Sequence, residues 1–243
     1  MISVCIATYN GEKFIKEQLD SILNQLSDED EIIISDDSST DGTMNIISSY
    51  QDRRIKIFPN QKFHSPIYNF ENAINHCSGD FIFLSDQDDV WLPDKISEIL
   101  PYLNKYDLVM SNARVVDSSL RTLKENLYDS DNIMGSLFSY ILKNPYTGCL
   151  IAINRRCLSY VLPFPAKLPM HDIWIGGCCQ LFSKVFFLNK NLILFRRHEN
   201  NVSCAFGKSN LPYLYRIQYR VYVLFCLIKR YADHYYFSSH HNY

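Results

Sequence analysis

Three carboxylates within four residues are the strongest chemical signal in this chain. Asp86, Asp88 and Asp89 stand in Ser85-Asp-Gln-Asp-Asp-Val-Trp91. So close together they repel one another unless a cation sits among them. Hard oxygen ligands of this kind suit Mg²⁺ or Mn²⁺, ions that usually also hold substrate phosphates. A second acidic cluster, Asp36-Asp37, opens the stretch Asp36-Asp-Ser-Ser-Thr-Asp-Gly-Thr43. Each cluster has a plainer reading. The first can be a solvated acidic turn, and in the second Ser39 or Thr40 can cap the next helix.

Both clusters follow an apolar run, which tells what positions them. Phe81 to Leu84 reads as a strand covered on both faces, as in a parallel sheet. Glu31 to Ser35 and Ile2 to Ala7 read the same way, and the latter ends in the turn Thr8-Tyr-Asn-Gly11. A helical spacing links the first two strands, from Phe14 to Leu26. Ile46, Ile47 and Tyr50 mark a second helix, Arg54 to Phe58 a third strand, and Asn69 to His76 a third helix. The order βαβαβαβ predicts right-handed crossovers and an α/β fold around a mostly parallel, Rossmann-like sheet. Ligands of such sheets bind at the carboxyl ends of the strands, where the acidic clusters stand. Neither glycine-rich phosphate fingerprint occurs, so a bound phosphate needs a metal to hold it.

Further along, the spacing predicts a helix over 95–106, strands over 107–111 and 113–117, a loop over 118–131, a helix over 133–142 and a strand over 147–153. A proline-rich loop over 163–169 leads to an apolar helix, in which Gly176-Gly177 permits close packing. Val185–Leu188 and Leu192–Phe195 read as a hairpin turning at Asn189-Lys190-Asn191. The last segment, 211–235, interleaves tyrosines and aliphatics with Arg216, Arg220, Lys229 and Arg230. Its longest apolar run is too short to span a bilayer. A membrane-surface helix, a helix docked on the domain and a contact in a homo-oligomer all fit it.

A chain of 243 residues, 47% of them hydrophobic, can bury a full core. A formal charge of −2 argues against a nucleic-acid partner. The eight cysteines lie mostly in apolar contexts without a C-x-x-C, which reads as small buried hydrophobes in a reducing cytoplasm. The strand-like run from Ile2 leaves no room for a signal peptide ahead of it.

The turn Val4-Cys-Ile-Ala-Thr-Tyr-Asn-Gly11, the stretch Ile34-Ser-Asp-Asp-Ser-Ser-Thr-Asp-Gly42, Ser85–Trp91, His171-Asp-Ile-Trp174 and Arg196-Arg-His-Glu-Asn-Asn201 occur in that order. Together they resemble the family-2 inverting glycosyltransferases of GT-A fold, in the rhamnosyltransferase-like branch that builds bacterial surface polysaccharides. The resemblance implies a GT-A domain over 1–205, with a nucleotide-sugar half over 1–110 and an acceptor half over 111–205, followed by a C-terminal helical segment over 206–243. It implies a nucleotide-sugar donor and a glycan or lipid-linked acceptor at the inner face of the cytoplasmic membrane. Thr8, Tyr9, Asn10, Glu12, Asp36, Asp37, Asp86, Gln87, Trp91, His171 and Trp174 fall at substrate-binding positions, Asp86, Asp88 and His198 at metal positions, and Asp172 at that of the catalytic base. The usual base motif is Glu-Asp, so His171 leaves the role of its position open. Plain alternatives are a helix cap for Asp172, a surface or hairpin-end residue for His198, and a core tryptophan for Trp174. The rival functions are a nucleotidyltransferase, which would want a basic glycine-rich loop after the first strand, and a non-catalytic sugar-nucleotide-binding scaffold.

Overall fold

Residues 1–129, 140, 144–199, 201 and 212–240 are described by the structure, a computed structural model. The fold begins with the alternation read from the sequence: β1 (Ile2–Thr8), α1 (Ile15–Leu23), β2 (Glu31–Asp36), α2 (Thr43–Ser49), β3 (Ile55–Phe58), α3 (Pro66–His76) and β4 (Phe81–Ser85). Pro66 opens α3 at a position where its missing N–H costs no hydrogen bond. β1 pairs in parallel with both β2 and β4, and β2 with β3. Thr8 is registered with Asp36, and Ile6 with Ser85, so three strands deliver their polar ends to one edge.

Beyond β4 the chain forms β5 (Val90–Trp91), α4 (Lys95–Leu103), β6 (Leu108–Val116), β7 (Thr122–Lys124), β8 (Ile151–Asn154), α5 (Leu158–Val161), α6 (His171–Phe182), β9 (Val185–Arg196) and α7 (Tyr213–His240). Among the described residues nine strands join one sheet in the order β3-β2-β1-β4-β8-β6-β9-β5, with β7 added to β6. β8 runs antiparallel to both β4 and β6, so the second half mixes directions. The sheet is buried on both faces where β1, β2 and β4 meet, as their unbroken apolar runs require.

The second half departs from the sequence reading in several places. The expected hairpin over 185–195 is one strand, β9, which runs parallel to β6. The polar residues in its middle form an irregularity rather than a turn, between the pairs Ser111–Leu188 and Asn112–Asn191. The buried Asn112 amide fixes it by donating to Asn189 Oδ1 at 2.7 Å. The two strands expected over 107–117 are likewise the single β6. Residues 148–150 are a 3-10 turn ahead of β8, and β7 lies in the expected loop over 118–131. The helix expected over 133–142 falls outside the described residues apart from Tyr140, which is helical, and residues 130–131 of that loop are also outside them. Cys5, Cys77, Cys149, Cys157, Cys178 and Cys179 are free and buried, as the sequence suggested.

α7 docks one face on the domain. Val223 and Leu227 are buried. Arg230 donates from its guanidinium to the carbonyl oxygens of Tyr160, Leu162 and Pro163 and lies over the Trp174 ring. Gly176 of α6 shows how tightly this region is packed: a Cβ there would fall 2.2 Å from Cδ2 of Tyr146. Gly176→Ala is expected to displace that ring and lower the unfolding free energy by about 1–3 kcal/mol, as overpacking usually does. Urea denaturation of the two chains measures it.

Candidate active site

At the β1–β2 edge the acidic residues divide into two roles. Asp36 is buried and accepts from Thr8 Oγ1 at 2.8 Å, Ser39 N at 2.9 Å and Ser39 Oγ at 2.6 Å. Its oxygens are occupied by the turn, and it stays off the cavity wall. Asp37 accepts from Phe63 N at 2.7 Å and Ser65 N at 3.0 Å and does line the cavity. The loop after β1 is clasped to the loop after β2. Asn10, at φ 49°, donates its N–H to Ser39 Oγ and accepts Thr40 N–H at Oδ1. Glu12 accepts Gly42 N–H at 2.6 Å and gives its own N–H to Asp41. Gln87 in turn pairs with both backbone groups of Tyr9, at 2.9 and 3.0 Å. Tyr9 itself is exposed above this frame.

The acidic stretch after β4 is held by the end of β9. Arg196 is 2% exposed. Its backbone N–H donates to Asp89 Oδ1 at 2.9 Å, and its Nε to the Asp88 carbonyl at 2.7 Å. One terminal nitrogen reaches the Ser118 carbonyl at 2.7 Å and the other pairs with Glu17. Two residues on, His198 Nε2 lies 2.8 Å from Asp88 Oδ2, which also accepts from Asn201 Nδ2 at 3.1 Å. Burial, and then the neighbouring Asp88 charge, raise the Asp86 carboxyl to about 7. Asp89 is pushed well above the usual carboxylate range by burial and by both neighbours, and its Oδ2 has no hydrogen-bond partner among the described residues. The ammonium of Lys95 is fully buried, donates to the Cys149 carbonyl at 3.0 Å and lies over the Trp91 ring at 4.1 Å. Burial lowers it to about 7.

This crowding is the observation that bears on a metal. Asp86 stands beside the like-charged Asp88 with too little positive compensation, which a divalent cation would relieve. Among the described residues the donor atoms brought together are those of Asp86, Asp89 and Cys149, all within 4.8 Å of one another. Of the other expected metal positions, Asp88 and His198 contact each other at 2.8 Å. Burial keeps the Cys149 thiol protonated, and sulfur is a soft ligand, so the carboxylate oxygens rather than the thiol suit Mg²⁺ or Mn²⁺.

The opposite wall comes from the start of α6. Asp172 is partly buried, and its Oδ1 accepts the N–H of Ile173 at 2.6 Å. Burial raises its carboxyl to about 7 despite that bond and others from Asn144 and Gly148. One cavity of about 1190 Å³ joins the two walls. Thr8, Tyr9, Asn10, Glu12 and Asp37 line it, as do Asp86, Gln87, Asp88, His171, Asp172 and His198. Two aromatic residues of the motifs do not. Trp91 packs against Phe83 in the core, and Trp174 is fully buried with Nε1 on the Val161 carbonyl at 2.7 Å.

Arg196, Asn201 and Lys95 acquire roles here that sequence reasoning did not assign. Arg196 and Asn201 lay within a recognised motif, and their spacing around His198 was the available signal. Lys95 read as an ordinary helix start, and nothing local announces a buried ammonium.

The sheet order, with an acidic strand end, a clasped loop pair and a separate carboxylate at one cavity, is that of the GT-A glycosyltransferase fold. The chain belongs to glycosyl transferase family 2, whose model matches residues 3–161. It is 32% identical over 215 residues to the dTDP-rhamnosyl transferase RfbG of Shigella flexneri, covering 81% of this chain and 72% of that one. The fold is similar to that of S. aureus TarS 1-349 in complex with UDP-GlcNAc, with a TM-score of 0.69 and 18% identity over 92% of this chain and 71% of that one. It is also similar to the mannosyltransferase PcManGT from Pyrobaculum calidifontis in complex with GDP-Man and Mn²⁺. There the TM-score is 0.64 at 17% identity, covering 96% of this chain and 74% of that one.

Arg196→Met keeps the bulk of the side chain and removes its polar bonds to Asp88, Ser118 and Glu17. The expected cost is about 1–3 kcal/mol of stability, read by urea denaturation, since the Glu17 partner is half exposed and recovers water.

Proposed function

We propose that this chain is an inverting, divalent-metal-dependent glycosyltransferase. It moves a sugar, rhamnose first among the candidates, from a nucleoside-diphosphate donor to a glycan or lipid-linked acceptor in bacterial surface polysaccharide synthesis. The observation that carries the reading is the pairing, in one cavity, of the Asp86–Asp88 strand end with the separate, desolvated Asp172. The similarity to a dTDP-rhamnosyl transferase supports rhamnose as the first sugar to test.

In this mechanism Asp37 and the Thr8–Asn10 loop hold the nucleoside, and Asp86, Asp88 and His198 would hold a Mg²⁺ or Mn²⁺ ion, which would supply Lewis-acid neutralisation of the diphosphate leaving group. Asp172 takes the proton of the acceptor hydroxyl at a carboxylate oxygen as that hydroxyl attacks the anomeric carbon from the face opposite the diphosphate. Its raised pKa makes it a competent proton acceptor near neutrality, where an ordinary carboxylate would be a weaker base. Arg196 and Asn201 position Asp88 and His198 and do not touch the reacting atoms.

The acceptor side extends to α7, which brings Tyr219 and Arg220 to the cavity rim. With Val223, Leu227 and Arg230 docked on the domain, the other face of α7 exposes Leu214, Ile217, Val221, Phe225 and Ile228 at three- and four-residue spacing. Among the described residues no helix is long and apolar enough to cross a membrane. The reading places this exposed row on the inner face of the cytoplasmic membrane, beside a lipid-linked acceptor.

Two experiments test the proposal. Asp172→Asn keeps size and cannot accept the proton, so turnover of dTDP-rhamnose with Mn²⁺ should fall about 10²–10⁴-fold with donor affinity unchanged, whereas Asp88→Asn should weaken donor binding itself. The wild-type rate should rise as pH is raised through about 7, because Asp172 acts only when deprotonated. A near wild-type rate for Asp172→Asn would remove it as the base. For the membrane contact, the doubly substituted Val221→Glu, Phe225→Glu chain should lose flotation with phosphatidylglycerol vesicles that the unaltered chain shows. Equal flotation of both would exclude the exposed row as the lipid-binding face.

A further inference from the structure

The loop that leads into Asp172 does not hold its own shape. Pro163, Pro165 and Pro169 have no N–H to give. Among the described residues, 163–169 make no backbone–backbone hydrogen bond. Their backbone groups go instead to side chains of two helices. From α3, Glu71 accepts the N–H of Phe164 at 2.5 Å, and the Tyr68 hydroxyl accepts that of Lys167 at 3.2 Å. From α7, Arg230 donates to the Pro163 carbonyl at 2.6 Å and Tyr222 to the Ala166 carbonyl. Arg230 also reaches the Tyr160 and Leu162 carbonyls, at 2.6 and 2.8 Å, just ahead of the loop. A planar guanidinium can serve three carbonyls in fixed directions, which an ammonium on a flexible stem does less well.

The same bracket meets α6. The carbonyl between those two, that of Val161, takes the indole N–H of Trp174 at 2.7 Å, and the Arg230 guanidinium lies over that indole at 5.1 Å. Trp174 stands in the first turn of α6, two residues past Asp172. At the other end of the loop, Pro169 and Met170 line the cavity, and His171 stacks on Phe70 of α3 with centroids 4.1 Å apart. Gly176 and Gly177 seat α6 on Tyr146 and Tyr140 only a turn further on. The first turn, which carries Asp172, therefore takes its place from the loop and from the side chains that hold the loop. A base has to stand within hydrogen-bond reach of the proton it removes, so that place matters to the rate.

We propose, on the reading of Asp172 as the base, that Arg230 and Tyr222 are positioning residues. By holding the carbonyls of 160–166 from α7, they fix where Asp172 stands in the cavity.

The test is a double-mutant cycle in the full chain. It reads release of nucleoside diphosphate with Mn²⁺ from dTDP-rhamnose, UDP-glucose, UDP-GlcNAc or GDP-mannose, carried on with whichever donor is turned over fastest. Arg230→Met is expected to lower turnover about 10²-fold, the scale of a small misplacement of a catalytic group. Calorimetric affinity for the nucleoside diphosphate with Mn²⁺ should stay unchanged. In the Asp172→Asn chain the same substitution should cost nothing further, because a base already lost cannot be misplaced. Tyr222→Phe, which removes one hydroxyl, should show the same pattern with a smaller loss. Equal fold-losses in the two backgrounds overturn the proposal, since a general loosening of the fold costs both alike. A parallel loss of diphosphate affinity, or wild-type turnover in Arg230→Met, also overturns it. Should Arg230→Met not fold, Tyr222→Phe decides by the same comparisons. An Asp172→Asn chain as active as the wild type would instead refute the base reading. A wild type that turns over none of the donors would refute the glycosyltransferase reading, and the positioning role falls with either.

Discussion

Repulsion among Asp86, Asp88 and Asp89 is the constraint to which the rest of the site is fitted. Three carboxylates leave one strand end, two of them with pKa values raised by burial and by one another. An unsupported loop would relieve this by swinging into water. Here it cannot, because Arg196 ties down the backbone of Asp88 and the side chain of Asp89 from the far end of the sheet. Holding like charges together without a full counter-charge stores an affinity for cations. The fold therefore supplies geometry and leaves part of the neutralisation to a ligand, a common arrangement where a site must bind a charged substrate and release its product.

The sheet topology explains how so few elements achieve this. Parallel register brings the ends of β1, β2 and β4 to one edge, which forms one side of the cavity. β8 and β6 then carry the sheet onward so that β9 returns beside β6, with its end at β5 and the acidic stretch. Asp172 comes from neither part of the sheet. It opens α6, a helix packed so closely on Tyr140 and Tyr146 that glycines are needed at 176 and 177. The acid pair and the separate carboxylate are thus held by different rigid elements.

α7 shows how one helix can meet several demands. Its docked face relies on two aliphatic side chains and on Arg230, whose guanidinium satisfies three carbonyl oxygens around the proline-rich loop. Arg230 is therefore part of the protein's own packing, which fits the docked-helix reading of this segment. The hydrophobic residues left outside form a continuous row rather than a scatter, and a row of that kind is more than the incidental apolar exposure of an ordinary surface.

Local sequence determined the first half of this protein almost completely. Apolar runs of four to six residues ending in Thr8, Asp36 and Ser85 specify buried parallel strands, because only strands covered on both faces need to be apolar without interruption. The acidic residues at their ends mark the site for the same reason, since charge cannot continue into that core. What only the tertiary structure decided were partnerships between residues far apart in the chain. Asn189-Lys190-Asn191 has the composition of a turn, and it lies within a strand because Asn112, in β6, offers the amide that holds it. Asp36 and Asp37 are adjacent and chemically identical, yet one is consumed by Thr8 and Ser39 while the other faces the cavity. Trp91 and Trp174 share motifs with site residues and belong to the core. Lys95 and Arg196 are buried cations that no local pattern foretells. In each case the fate of a polar side chain depended on which distant donors and acceptors folding placed within hydrogen-bond reach, a quantity that sequence spacing does not contain.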